Sequence, residues 1–169
     1  MLTVMDVVIL IIVVTALIIS IVCMNKKCDN FSNVNEACKE EASKFILENV
    51  IPNLRNGTDP ETATSLFSDD AILLATISSK FRKGSEDILE YFKYFLNISD
   101  LKPSKPDMYN TQILADNLYL VNVFVKFTFT ENSKETIINN RMSFIVEYKN
   151  NYKIKFLHAS PSPSPLVID

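Results

Sequence analysis

The chain of 169 residues holds one histidine, His158, which stands with Ser160 at the end of an apolar, aromatic-rich stretch. A second such stretch carries Arg141 and Ser143, and Asn150-Asn151 separates the two. Both asparagines tolerate the left-handed conformation, so the pair predicts a tight two-residue hairpin. A hairpin turn fixes a register, and the register decides which side chains share a face. With Lys149 opposite Tyr152, the pairs run Glu147 with Ile154, Ile145 with Phe156, Ser143 with His158 and Arg141 with Ser160. One face then carries Ile145, Ile154 and Phe156 toward its middle, with Arg141, Ser143, His158 and Ser160 at one end. An apolar floor with a few converging polar groups is the composition of a small-molecule pocket. There Arg141 would fork onto a carboxylate, making a small anionic ligand the expected occupant, and His158 would serve as acid, base or donor. The plainer reading stands beside it: a lone histidine near a strand end as hydrogen-bonded filler, and an arginine paired with a local carboxylate. The other face sets Met142, Phe144, Val146 and Tyr148 against Lys153, Lys155, Leu157 and Ala159. It is too apolar for a solvated surface and predicts a covering partner, most simply a second copy of the chain.

Much other chemistry is excluded. Gly57 and Gly84 are the only glycines, so no phosphate-cradling loop or dinucleotide fingerprint exists. A single histidine removes the usual two-histidine zinc sites, and no cofactor or metal is expected. No serine sits in a G-x-S-x-G elbow, and neither Cys28 nor Cys38 has a base nearby in sequence. Those two cysteines would bridge only in an oxidising compartment and otherwise stay reduced. Asp69-Asp70 reads as a turn and cap more readily than as a catalytic pair. A net charge of -3 and a pI near 5.2 argue against a nucleic-acid partner.

The elements that must position these residues follow from periodicity. Ala37, Glu41, Phe45, Ile46, Val50 and Leu54 recur at helical spacing from Glu36, Pro52 bends the last turn, and Asn56-Gly57 supplies a stop. Asp59 caps a short second helix that opens on Pro60 and ends near Phe67. Residues 71–77 read as a strand, 81–84 as a brief extended piece turning at Gly84, and Ser85 as the cap of a third helix. Glu86 and Asp87 suit the positive end of its dipole. After a proline-punctuated loop come four strands, 108–115, 118–130, 136–148 and 152–159, rich in Tyr, Phe, Val, Ile and Thr. Asp116-Asn117 supplies another tight hairpin. The Ser-Pro repeat from Ser160 is predicted to end the ladder as an extended tail. Helices grouped before strands imply an α+β fold, a curved antiparallel sheet with three N-terminal helices on its concave face.

One transmembrane helix is expected before this domain. Residues 7–24 carry no charge and are interrupted only by Thr15, Ser20 and Cys23. At ~1.5 Å per residue they reach ~27 Å, close to the ~30 Å of a bilayer's hydrocarbon core. A cleaved signal peptide would want a basic start and small residues at the cut, whereas Asp6 is the only charge before the run. Lys26-Lys27 follow immediately, which by the positive-inside rule places the bulk of the chain in the cytosol as a single-pass membrane protein. The expected organisation is an anchor over 1–25, a juxtamembrane linker over 26–35, a folded domain over 36–160 and a Ser/Pro tail over 161–169.

Four stretches carry a resemblance: Leu-Phe-Ser-Asp-Asp-Ala (66–71), Phe-Arg-Lys-Gly-Ser-Glu-Asp-Ile-Leu-Glu-Tyr-Phe (81–92), Arg-Met-Ser-Phe-Ile-Val-Glu-Tyr (141–148) and Lys-Ile-Lys-Phe-Leu-His-Ala-Ser (153–160). With the element order they resemble the nuclear-transport-factor-2-like superfamily, nearest the branch of the calmodulin-dependent kinase II association domain and its small bacterial relatives. The resemblance implies a cone-shaped α+β barrel with a hydrophobic pocket, dimeric or larger through its outer sheet face. The superfamily includes isomerases, dehydratases and cyclases beside non-catalytic binding and oligomerisation modules. In the association-domain branch the last strand often reads His-His-Ser-Ser; here Leu157-His158-Ala159-Ser160 keeps the second histidine and the second serine. Arg141 matches the arginine that opens the preceding strand. With half of that polar signature missing, the expected function is a membrane-anchored, self-associating binding or scaffolding domain. The alternative is an isomerase, dehydratase or cyclase acting on a small carbonyl or carboxylate ligand, with His158 as acid or base.

Overall fold

A computed structural model describes residues 36–162. The expectations for residues 1–35, namely the anchor, the linker and Cys28 as a partner for Cys38, lie outside the described residues, as does the tail beyond Ser162. Among the described residues no helix is long and apolar enough to cross a membrane.

Residues 36–44 are helical and continue into a π-helical segment, Phe45–Val50, and a tight turn, Ile51–Asn53; together these form α1. Pro52, which has no N–H to give, falls where the helix ends. α2 spans Pro60–Ser65, and the Asp59 carboxylate caps it by accepting from the Thr62 N–H at 2.9 Å and the Thr62 hydroxyl at 2.8 Å. β1 (Phe67–Leu74) begins earlier than the Asp69-Asp70 pair suggests. The acidic pair is no turn but an irregular stretch inside the strand, where pairing jumps between Phe67 and Ile72 and Asp70 takes the Lys155 ammonium at 2.6 Å. β2 (Arg82–Lys83) leads into α3 (Gly84–Phe95). Ser85 does not cap α3: its hydroxyl reaches Asp69 at 3.3 Å, while Asp87 reaches back to accept from the Lys83 N–H at 3.1 Å.

β3 (Lys102–Pro103), β4 (Met108–Ala115), β5 (Leu118–Glu131), β6 (Lys134–Tyr148) and β7 (Tyr152–Pro161) complete a single seven-stranded sheet. Its order is β2-β1-β7-β6-β5-β3, with β4 also on β5. The sheet is mixed rather than antiparallel throughout, because the meander returns β7 alongside β1 in the same direction. It is curved and does not close on itself. Asn132 and Ser133 both take positive φ, 50° and 62°, forming a primed two-residue turn that carries β5 and β6 beyond their predicted ends.

The β6–β7 connection has three residues, 149–151, rather than two, and Tyr148 pairs with Tyr152. Near the turn the ladder is therefore one residue out of the predicted register. An extra residue at Lys155 shifts it back, so Ile145 meets Phe156, Ser143 meets His158 and Arg141 meets Ser160 as the sequence implies. The ladder also survives the first proline of the tail. Pro161 lies opposite Asn140, and the Ser162 N–H donates to the Asn139 carbonyl at 2.7 Å, so the missing proline N–H points away from β6.

The core lies on the side of the sheet that the helices cover. Val121, Val123 and Val125 of β5, Phe144 and Val146 of β6, and Leu157 of β7 are buried there beneath Ile46 of α1 and Phe92 of α3. Ring contacts tie the layers, Phe95 to Phe127 at 6.1 Å and Phe45 to Tyr152 at 5.9 Å. Between α1 and β4, the Ser43 and Thr111 hydroxyls bond at 2.7 Å. Met142, Phe144 and Val146 are thus the inside of the chain's own fold, not a surface awaiting a partner.

Candidate functional site

Beside α3, toward the far end of the β5–β6 hairpin, the helix-covered side is not filled. β5 and β6, at 14 and 15 residues, outrun β7, whose pairing stops at Pro161 opposite Asn140. A cavity of about 470 Å³ opens in this region. Phe127 and Phe129 of β5, Ile138 and Met142 of β6, and Leu157 and Ala159 of β7 face it from the sheet, with Tyr91 and Phe95 from α3. The volume lies within the range of small-molecule sites, and the lining is mostly apolar as such sites are.

Few polar groups enter this space. Asn140, 8% exposed, accepts a hydrogen bond on Oδ1 from the Thr76 hydroxyl at 3.0 Å, and both residues line the cavity. Tyr91, 7% exposed, also lines it, and burial pushes its phenol far above the ordinary value, opposed only in part by the positive charge of Arg82. The Tyr91 hydroxyl therefore stays protonated and is available to donate. Glu131, at the tip of the hairpin, is the one charged residue of the lining. Arg82 is already engaged by Asp87 at 3.2 Å and Glu90 at 2.9 Å.

Arg141, Ser143, His158 and Ser160 do come together across β6 and β7, paired as the sequence implies. They lie on the face away from the helices, where Arg141 and His158 are exposed and Ser143 donates to the Asn122 side chain at 2.7 Å. The cavity is lined instead by their strand neighbours Asn140, Met142, Leu157 and Ala159. Asn140, Thr76 and Tyr91 escape a search of the sequence for reactive residue types, because none is a usual nucleophile, base or metal ligand. The signal that finds the correct face is in β5. Tyr119, Val121, Val123, Val125 and Phe127 form an unbroken apolar row, whereas Asn122 and Lys126 interrupt the alternate one. The apolar row pairs with Val146, Phe144, Met142, Asn140 and Ile138.

The sequence matches no protein-family model and no curated protein. Solved structures share the fold, which is the nuclear-transport-factor-2-like or cystatin-like one. A protein from Xanthomonas campestris, provisionally named a calcium/calmodulin-dependent protein kinase II association domain, is 22% identical with a TM-score of 0.57 over 80% of this chain and 87% of its own. A nuclear-transport-factor-2-like superfamily protein from Salmonella enterica is 16% identical with a TM-score of 0.62 over 78% of this chain and 96% of its own. A protein from Novosphingobium aromaticivorans, provisionally named a scytalone dehydratase, is 12% identical with a TM-score of 0.55 over 79% of this chain and 87% of its own.

Proposed function

We propose that this chain is a membrane-held, self-associating binding module whose cavity takes a small, largely apolar molecule. The observation that carries the reading is the cavity itself, open, apolar and framed by Tyr91 and the Thr76–Asn140 pair. Binding needs only this. Catalysis of the isomerase, dehydratase or cyclase kind also needs a group that moves a proton at the working pH. Such a role is named for one similar structure, the provisional scytalone dehydratase. Here the lining offers donors at Tyr91, Tyr94, Thr136 and Asn140 and a single carboxylate, Glu131, while His158 stands on the face away from the helices. The non-enzymatic reading is favoured for that reason.

Self-association is supported by the sheet face away from the helices. Met108, Phe124 and Arg141 fall in one register row there, with Met108 and Phe124 60% and 43% exposed. The row beside it brings Asn122, Ser143 and His158 together. This mixture of apolar and polar groups suits an interface between copies, in which Arg141 and His158 would act. The uncharged run over 7–24 supports a bilayer anchor, and Lys26-Lys27 a cytosolic domain.

Photolabelling tests the binding reading on the full chain in lipid nanodiscs. The probe is an uncharged alkane carrying a diazirine, and the adducts are mapped by mass spectrometry. Labelling should concentrate on Tyr91, Phe95 and Met142 and disappear in Ala159→Trp, with the fold checked by circular dichroism. Adducts scattered over the domain, or labelling of the folded Ala159→Trp variant at the wild-type level, would overturn it.

A further inference from the structure

We infer that the cavity selects a neutral amphiphile, an apolar chain or ring bearing one ketone, ester or alcohol oxygen, and rejects the corresponding carboxylate. This deepens the binding reading and rests on it. Two observations carry it, one about hydrogen bonds and one about charge.

The Thr76 hydroxyl occupies Oδ1 of Asn140 at 3.0 Å, which leaves the amide Nδ2 without an acceptor among the described residues. The Tyr91 hydroxyl likewise has no partner there. Ser162 Oγ is the one sealed side-chain polar atom among the described residues that lacks a partner. The Asn140 amide and the Tyr91 phenol are therefore not sealed, although the two residues are only 8% and 7% exposed, and the cavity they line is where a partner can reach them. A purely apolar ligand filling the cavity would strip water from these donors and leave them without an acceptor, which is costly, and a ligand oxygen placed against one of them removes that cost. Of the two, Asn140 is the better anchor, because the Thr76 bond already fixes its amide plane and less freedom is lost on binding.

The lining around that anchor holds no cation. No Lys, Arg or His is among the lining residues, and its one anion, Glu131, is exposed at the hairpin tip opposite Lys134. Arg82, whose charge acts on Tyr91, is held by Asp87 and Glu90. A carboxylate entering this space would lose its water without gaining a counter-ion from the lining. A carbonyl or hydroxyl oxygen meets no such penalty. The anionic ligand implied by Arg141 loses its basis here, since that guanidinium lies on the other side of the sheet.

The test uses the full chain in nanodiscs and two probes of equal length, a long-chain methyl ketone and the matching fatty acid, each with a diazirine on the alkyl chain. The ketone should label the cavity residues at least roughly tenfold more strongly than the acid, and unlabelled ketone should compete where unlabelled acid does not. Asn140→Leu should lower ketone labelling about tenfold, the scale of one buried hydrogen bond, while the uncharged alkane probe still labels it. Asn140→Gln, which keeps the donor, should retain part of the ketone signal. Equal labelling by acid and ketone, or an Asn140→Leu variant that binds ketone as the wild type does, overturns the selectivity while cavity binding stands. Failure of all three probes to label the cavity overturns both.

Discussion

Truncating Phe144 to alanine tests which face of the sheet is the inside. Phe144 is wholly buried, with Val121 and Leu157 as its register neighbours on either side. Removing a buried aromatic ring forfeits a transfer free energy of about 1.5–3 kcal/mol. The hole left on a floor pinned from both sides adds to this, for a total of about 3–5 kcal/mol. Phe124, on the face away from the helices, is 43% exposed, so its truncation should cost about 1 kcal/mol or less in the monomer. Pulse proteolysis in urea on the full chain, in non-ionic detergent and at low protein concentration, separates the two. With a urea slope of about 2 kcal/mol per molar, Phe144→Ala should lower the midpoint by about 2 M and Phe124→Ala by about 0.5 M or less. Equal losses, or a larger loss at Phe124, would refute the assignment of the faces.

Three further outcomes follow from particular contacts. Gly84 sits at φ +78°, and a Cβ added there would lie only 3.3 Å from the Asp69 carbonyl oxygen, whereas Gly57, at φ +82°, has open space around it. Gly84→Ala should therefore lower the urea midpoint more than Gly57→Ala, with the left-handed penalty alone about 1–2 kcal/mol at each. Ser43 gives its hydroxyl proton to the Lys39 carbonyl at 2.9 Å and so accepts from Thr111, with both side chains buried. Ser43→Ala strands the Thr111 donor and should cost about 1–3 kcal/mol, and adding Thr111→Val should recover part of that in a double-mutant cycle. The Asp59 carboxyl is held below its ordinary value of 3.8 by the Thr62 hydroxyl and then by the Thr62 N–H. Its contribution to α2 is full above that ordinary value and fades as the pH falls through the lowered one. Hydrogen exchange at Thr62 and Ala63 should show protection over Asp59→Asn at neutral pH that vanishes in strong acid; a difference independent of pH would count against the cap.

Much of the fold is legible because its signals are local. The Asp59-Pro60 start, the helical stripe through Ile46 and Val50, and the Asp116-Asn117 turn each act through neighbours in the chain, and each appears near its expected place. Asp69-Asp70 misleads because a turn and a strand irregularity favour the same residue types, and only the parallel pairing with β7 distinguishes them. The β6–β7 register is recovered away from the turn because two deviations cancel, a turn longer by one residue and an extra residue at Lys155. What a single hairpin cannot supply is the inside. Pairing states which residues share a face, and both faces of β6 and β7 carry apolar side chains. The choice belongs to the layer above, to α1 and α3, and in sequence it shows only when the apolar row of β5 is laid beside them.

The same phase choice explains why the cavity is poor in charge. Side chains alternate along a strand with a period of two, so one assignment of β5, β6 and β7 sends Lys126, Arg141 and His158 outward together and leaves Val125, Met142 and Leu157 inward. A charge reaches the cavity only where the ladder ends, as at Glu131, or where a side chain on the inward row is changed. Met142→Glu makes that change on an inward residue 5% exposed. Buried among aromatic and aliphatic groups, the new carboxyl should titrate well above the ordinary ~4.3 of a glutamate. Because its folded value is raised, the variant should match Met142→Gln in stability below that ordinary value. It should lose ground as the pH rises, until the folded group ionises as well. Urea midpoints across pH 4 to 8 give the comparison, with Arg141→Glu against Arg141→Gln as the exposed-face control that should stay nearly flat. A flat difference for Met142→Glu, or a fall of equal size for Arg141→Glu, would mean that Met142 does not face a buried, apolar space.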